Sequence, residues 1–312
     1  MPASRPRKAA AKASTPVVVV SEELRAPVNT GIELCYQTFG NPEDDPLLLV
    51  MGLGGPMTWW DPQLCKLLAS KGFFVIRFDN RDTGHSGRDR GRVTRTMLVR
   101  AFSGSLRSAP YTLTDMADDA FGLLDHLGID RANVMGVSMG GMIVQSMAIA
   151  QPDRVASVVS IMSTTGRRTV GWQDPRVLPA LIAPRQRDRE AYVERSLRFW
   201  KMIGSPAYPT EEDFTREKAG DTFDRGISSS GILRQMLAIL TQPNRTRALA
   251  GLKMPAAVIH GTADRMVHVS GGRATASAIP GAELLIIEGM GHDLPAALYD
   301  TVADVVRRTA DR

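Results

Sequence analysis

The chain has 312 residues, 43% of them hydrophobic, which is enough for a large core plus an insertion. A formal charge of +5 and a pI near 9.4 suggest nucleic acid, yet four of the five charges come from Arg5, Arg7, Lys8 and Lys12 in a head without acidic residues. The rest is close to neutral, so no nucleic-acid partner is expected. Two cysteines, Cys35 and Cys65, exclude a disulfide framework and a cysteine-based metal cluster, and fit a reducing, cytoplasmic compartment. No apolar run nears the ~20 residues of a membrane span, and Val17 to Val20 is too short for a secretory core.

Residues 1–16, rich in Ala, Ser and Pro, read as a disordered basic tail. From 17 to 163 strand patterns alternate with helices. A hairpin is expected from Val17 to Val20 and Glu33 to Phe39, then strands at Leu47 to Met51, Phe73 to Phe78, Val134 to Val137 and Val155 to Met162. Met116, Phe121, Leu124 and Leu127 recur at helical spacing and belong to a core-facing stripe. Between 164 and 250 strand signals vanish, and helical segments such as Asp188 to Ile203 and Gly231 to Leu240 alternate with Pro and Gly breaks. The rhythm resumes at Lys253 and runs through 251–312. This order predicts an α/β fold, a mostly parallel sheet flanked by helices, with residues 164–250 as a helical cap over one sheet edge.

The chemistry is concentrated in Gly136-Val137-Ser138-Met139-Gly140, which follows an apolar strand and precedes a buried helical segment. A serine on so tight a turn takes a strained backbone, and its hydroxyl stands above the sheet at the positive end of the helix. A plain glycine turn would not need serine at its centre. A hydroxyl nucleophile needs a base, and the base needs an acid to hold its tautomer. Asp264 follows the strand ending at His260-Gly261. His292 follows the strand Ala282 to Ile287 through Glu288-Gly289-Met290-Gly291. All three residues lie just past strand ends, which gather on one edge of an open parallel sheet. Asp264 has the alternative role of a helix cap. The loop Gly52-Leu53-Gly54-Gly55 after Leu47 to Met51 offers backbone donors for a developing oxyanion, for which Leu53 and Met139 are the candidate N–H groups. A simple strand-to-loop hinge is the other reading.

These motifs, with Ile76-Arg77-Phe78-Asp79-Asn80-Arg81-Asp82-Thr83-Gly84-His85-Ser86 and Gly289 to Pro295, make the chain resemble the α/β-hydrolases from about Val28 to Ala303. Within them it is most similar to the esterase and methylesterase group around aclacinomycin methylesterase. The resemblance implies a serine esterase with Ser138 as nucleophile, His292 as base and Asp264 as its orienting acid, acting without metal or organic cofactor on a small-molecule ester. The chain departs from many relatives in having Met51-Gly52 where they have His-Gly, so any hydrogen bond from that histidine is lost. Carbon–carbon or amide cleavage by the same triad, and a non-catalytic binding protein on the same fold, remain alternatives. Dehalogenase and epoxide hydrolase chemistry would require a carboxylate where Ser138 stands.

Asp79, Arg81 and Ser86 read as a hydrogen-bonded brace beside the site. His85 precedes the serine and follows no late strand, so it is a poor base. His126 reads as a surface residue and His260 as structural, while His268 lies nearer the site but lacks the turn that serves His292. Trp59, Trp60, Phe199 and Trp200 are candidates to line an apolar pocket, with Met202, Met236 and Leu237 joining its roof. Only a neutral His292 accepts the serine proton.

Overall fold

The computed structural model describes residues 17–105, 108–182 and 188–312 of the chain; the tail at 1–16 lies outside the described residues. Eight strands form one sheet in the order β1-β2-β4-β3-β5-β6-β7-β8. They are β1 (Leu24–Pro27), β2 (Glu33–Phe39), β3 (Asp45–Val50), β4 (Phe73–Phe78), β5 (Ala132–Val137), β6 (Val155–Ile161), β7 (Ala256–Gly261) and β8 (Glu283–Ile287). The pairs β1–β2 and β2–β4 are antiparallel, and every pair from β4 through β8 is parallel.

The hairpin differs from expectation. Val17 to Val20 forms no strand, and only Val20 makes an isolated bridge to Phe39. The partner of β2 is Leu24–Pro27, brought back by a turn in which Val28 N–H donates to Ile32 O and Gly31 takes φ +82°. Apolar content misled the reading: Val17 and Val19 are 93% and 70% exposed, whereas Ala26 in the less apolar segment is buried. The glycine-assisted turn decides the register, not the valine run.

Strand alternation splits the core into two layers. Leu48 and Val50 of β3 pack on one side with α3 (Leu113–His126) and α4 (Met139–Ala150). Leu47 and Leu49 pack on the other with α1 (Pro62–Ser70) and α11 (Tyr299–Ala310). The predicted stripe holds: Met116, Phe121 and Leu124 are buried on α3 and Leu127 packs at its edge. Thr112 and Asp115 close the N-terminus of α3 with a reciprocal capping box, and Asp61 caps α1 ahead of Pro62. A short helix, α2 (Arg95–Phe102), precedes α3. Helices α5 (Leu178–Ile182), α6 (Arg189–Ile203), α7 (Glu212–Asp224), α8 (Ser229–Thr241) and α9 (Thr246–Leu249) fall between β6 and β7, and α10 (Ser270–Ala278) follows β7. Among the described residues no helix is long and apolar enough to cross a membrane.

The helical segment is tied to the sheet through the loop after β4. Asp79 takes the Met57 and His85 N–H groups and a salt bridge from Arg225, while Ser86 Oγ donates to Asp79 O and accepts Cys35 N–H. Arg81 pairs with the buried Asp119. Arg234 of α8 grips Asp82, whose side chain is wholly buried. The expected brace is therefore present, and it also serves as the anchor for α7 and α8. Arg234→Met would leave Asp82 buried without its counter-charge. It should cost on the order of 3 kcal/mol in denaturant unfolding, and an unchanged midpoint would show that Asp82 finds another partner.

Candidate active site

Strand β3 has β4 on one side and β5 on the other, so chain connections diverge at its carboxyl end and leave a crevice there. Pairing of Val50 with Gly136 sets the ends of β3 and β5 level. Ser138 then turns into α4 with φ 54° and ψ −117°, a sterically costly conformation for a residue with a side chain. The turn closes only because its neighbours are glycine. A Cβ on Gly136 would sit 2.2 Å from Gly140 O, and one on Gly140 would sit 2.0 Å from Val50 O. Hydrogen bonds from Ser138 N–H to Ile161 O and from Ser163 Oγ to Ser138 O hold the strained residue from β6.

Three side chains meet above this edge. His292 Nε2 lies 3.0 Å from Ser138 Oγ, and His292 Nδ1 lies 2.8 Å from Asp264 Oδ2. The other carboxylate oxygen, Oδ1, accepts Met266 N–H at 2.8 Å and Val267 N–H at 2.9 Å. Burial would raise the Asp264 carboxyl's affinity for its proton, but the neighbouring His292 and His260 imidazoles outweigh it and hold the group well below the usual carboxylate range. Asp264 is thus an acceptor, and His292 Nδ1–H donates to it, which leaves Nε2 to accept the serine proton. His292 itself is fixed by its N–H to Ile203 O, so the end of α6 helps to position it.

Among the described residues no other histidine bonds to Ser138, although His260 stands 3.4 Å from Asp264 Oδ2. His85 Nδ1 contacts Glu23 on an exposed surface, and His126 is exposed. His260 is fully buried with Nε2 donating to Val267 O, and His268 stacks on Trp172. Both cysteines are buried, and burial pushes each thiol up to about 12, which makes them poor nucleophiles. The loop after β3 reaches Ser138: a Cβ on Gly52 would stand 3.3 Å from Ser138 Cβ. Asn80 Nδ2 donates to Met51 O and so fixes the turn that carries methionine in place of histidine. Among the described residues no acceptor takes the N–H of Leu53 or of Met139, the first residue of α4.

A cavity of about 1250 Å³ opens over Ser138 and His292. Trp59, Trp60, Phe199, Trp200, Met202 and Met236 all line it. Leu237 does not: it is fully buried on the far side of α8, one residue round the helix from Met236. Two polar residues of the helical segment were not singled out in the sequence. Gln235, fully buried, accepts Gly54 N–H at 2.8 Å and donates to Arg81 O and Thr83 Oγ1, so α8 pins the loop that carries Leu53. Lys218 of α7 reaches the cavity wall beside Trp59. Neither stands at a strand end or in a motif, so the sequence carries no local signal for them.

A family model for the alpha/beta hydrolase fold matches residues 45–295. The chain belongs to this family. Among curated relatives, the rhodomycin D methylesterase DnrP of Streptomyces peucetius is 26% identical over 299 residues, covering 89% of this chain and 95% of its own. The rhodomycin D methylesterase DauP of Streptomyces sp. strain C5 is 27% identical over 298 residues, with 88% and 94% covered. Among solved structures, the enol-lactonase from Burkholderia xenovorans LB400 superposes with a TM-score of 0.71 at 25% identity, covering 93% of this chain and all of that one. The expected resemblance to esterases and methylesterases of this family is borne out by these relatives.

Proposed function

We propose that this protein is a serine hydrolase of carboxylic esters that works through an acyl-enzyme. The observation that carries the reading is the continuous chain from Ser138 Oγ through His292 to Asp264, seated on a strained turn beneath an open cavity. Ser138 Oγ attacks the ester carbonyl while His292 Nε2 takes its proton. The carbonyl oxygen gains negative charge, and the Leu53 and Met139 N–H groups donate to it. When the carbonyl re-forms, the alcohol leaves with the proton from His292. Water then attacks the acyl carbon, gives its proton to His292, and the acid departs as Ser138 recovers its hydrogen. Relatives named as methylesterases and a lactonase, all acting on ester linkages, support the reaction class.

Helices α5 to α9 act in this reading as a cap, and the aromatic wall of Trp59, Phe199 and Trp200 favours a bulky acyl or polycyclic body. A fluorophosphonate probe should label Ser138, and p-nitrophenyl esters of increasing acyl length, with methyl esters of polycyclic acids alongside, should be hydrolysed. A chain that resists the probe and leaves all these esters intact is a binding protein on the same fold. Substitution separates the candidate bases. His292→Ala should remove nearly all activity, because its Nε2 is the group within reach of Ser138 Oγ, whereas His85→Ala should leave turnover close to wild type. A large loss in His85→Ala with activity retained in His292→Ala overturns the assignment.

A further inference from the structure

The cavity wall contains a cation that the hydrolytic chemistry does not use. Helix α7 presents Phe214, Lys218 and Thr222 at i, i+4 and i+8, on one face. Thr222 Oγ1 accepts the Trp59 indole N–H at 2.9 Å, which fixes the ring, and Lys218 Nζ donates to Trp59 O at 3.2 Å. The ammonium stands 6.0 Å from the Trp59 ring centre and 5.9 Å from that of Phe214, the outer limit for a cation–π contact. An ammonium has three donors, and the described hydrogen bonds use one. Lys218 enters no ion pair among the described residues. The two acids that influence it, Asp61 and Asp293, form no ion pair with it, and each accepts a hydrogen bond from another partner, Gln63 N–H and the Ser205 hydroxyl. Burial lowers Lys218 to about 8 against the pull of these acids, which still leaves it mainly protonated at neutral pH. A desolvated cation between ring faces, with donors to spare, is stabilised most by an anionic oxygen delivered with the ligand.

Resting on the ester-hydrolase reading above, we propose that Lys218 is a specificity residue, and that the preferred esters carry an anionic oxygen, a carboxylate or an ionised phenol, remote from the scissile carbonyl. The aromatic body of such an ester lies against Trp59 and Trp200, and its anionic end meets Nζ. Nζ then adds one anion-binding point to an aromatic wall, which gives a role to a lysine placed where an apolar side chain would have served a purely hydrophobic pocket.

The test compares the p-nitrophenyl esters of 4-carboxyphenylpropanoic acid and of its neutral carboxamide isostere, with wild type and Lys218→Met. Wild type should favour the carboxylate through a lower KM. Lys218→Met should lower kcat/KM for the carboxylate ester roughly 10- to 100-fold, the range for losing a charge-assisted hydrogen bond. The carboxamide ester should change less than about twofold, and Lys218→Arg should restore part of the preference. Equal losses on both esters would make Lys218 a structural support for Trp59, and no loss on either would make it a bystander; both overturn the proposal. Should Lys218→Met fail to fold, wild type alone decides through competitive inhibition by two primary amides that match the acyl groups of the esters, 3-(4-carboxyphenyl)propanamide and 3-(4-carbamoylphenyl)propanamide. Equal inhibition constants overturn the proposal and a tighter carboxylate upholds it. Failure of the underlying reading looks different: wild type would then cleave neither ester and Ser138 would resist the fluorophosphonate probe.

Discussion

Ser138→Ala should reduce ester turnover on the order of 10⁶-fold in kcat, as loss of the nucleophile does where triad members act as a unit. Removing the hydroxyl deletes one contact, the 3.0 Å hydrogen bond with His292 Nε2. The backbone at φ 54° is held by Ile161 O and Ser163 Oγ, and an alanine methyl occupies the space of the serine Cβ, so the fold should persist. Circular dichroism and the unfolding midpoint should match wild type, while fluorophosphonate labelling disappears. Because the three residues act together, Ser138→Ala combined with His292→Ala should be little worse than either alone. Residual turnover of more than a trace in a folded Ser138→Ala protein would remove Ser138 from the chemistry and leave its strained conformation without a function.

The parts of this site that were legible in the sequence share a cause. Ser138, Asp264 and His292 are each fixed by local structure, a strand end followed by a tight turn, and parallel strands bring their carboxyl ends to one edge whatever lies between. Gly136 and Gly140 are readable for the same reason, since the close approach of Val50 and α4 leaves no room for a side chain. The strands from Leu47 onward and the helical segment followed from alternation of apolar runs with helical spacing.

Long-range partners were not legible. Gln235 lies some 180 positions from Gly54, and neither residue has a neighbour that announces the contact. Arg225 and Arg234 look like ordinary exposed arginines of a helical segment until Asp79 and Asp82 are folded against them. Val17 to Val20 failed in the opposite sense, since a strong strand propensity lost to the turn at Gly31. Lys218 shares the first problem, because its role depends on which face of α7 meets the cavity and Trp59.

Asp264→Asn is the most specific test of how the acid works. The two oxygens of Asp264 have different duties: Oδ1 accepts Met266 and Val267 N–H, and Oδ2 accepts from His292 Nδ1 at 2.8 Å. An asparagine keeps the first pair by placing its carbonyl oxygen there, which forces its NH₂ toward His292. Two donors cannot face each other, so the imidazole takes the tautomer with its proton on Nε2 and accepts from the asparagine through Nδ1. Nε2–H then points at Ser138 Oγ and cannot take its proton. The geometry of the site survives while its base is disabled, at a cost of up to about 10⁴-fold in kcat. KM for a neutral ester should move little, because no cavity contact changes. The same variant also loses the negative charge that stabilises His292 as it becomes an imidazolium, so fluorophosphonate labelling should slow in parallel with turnover. A near-normal kcat would mean that another carboxylate orients His292, and a large rise in KM with kcat retained would mean that Asp264 shapes the cavity and not the base.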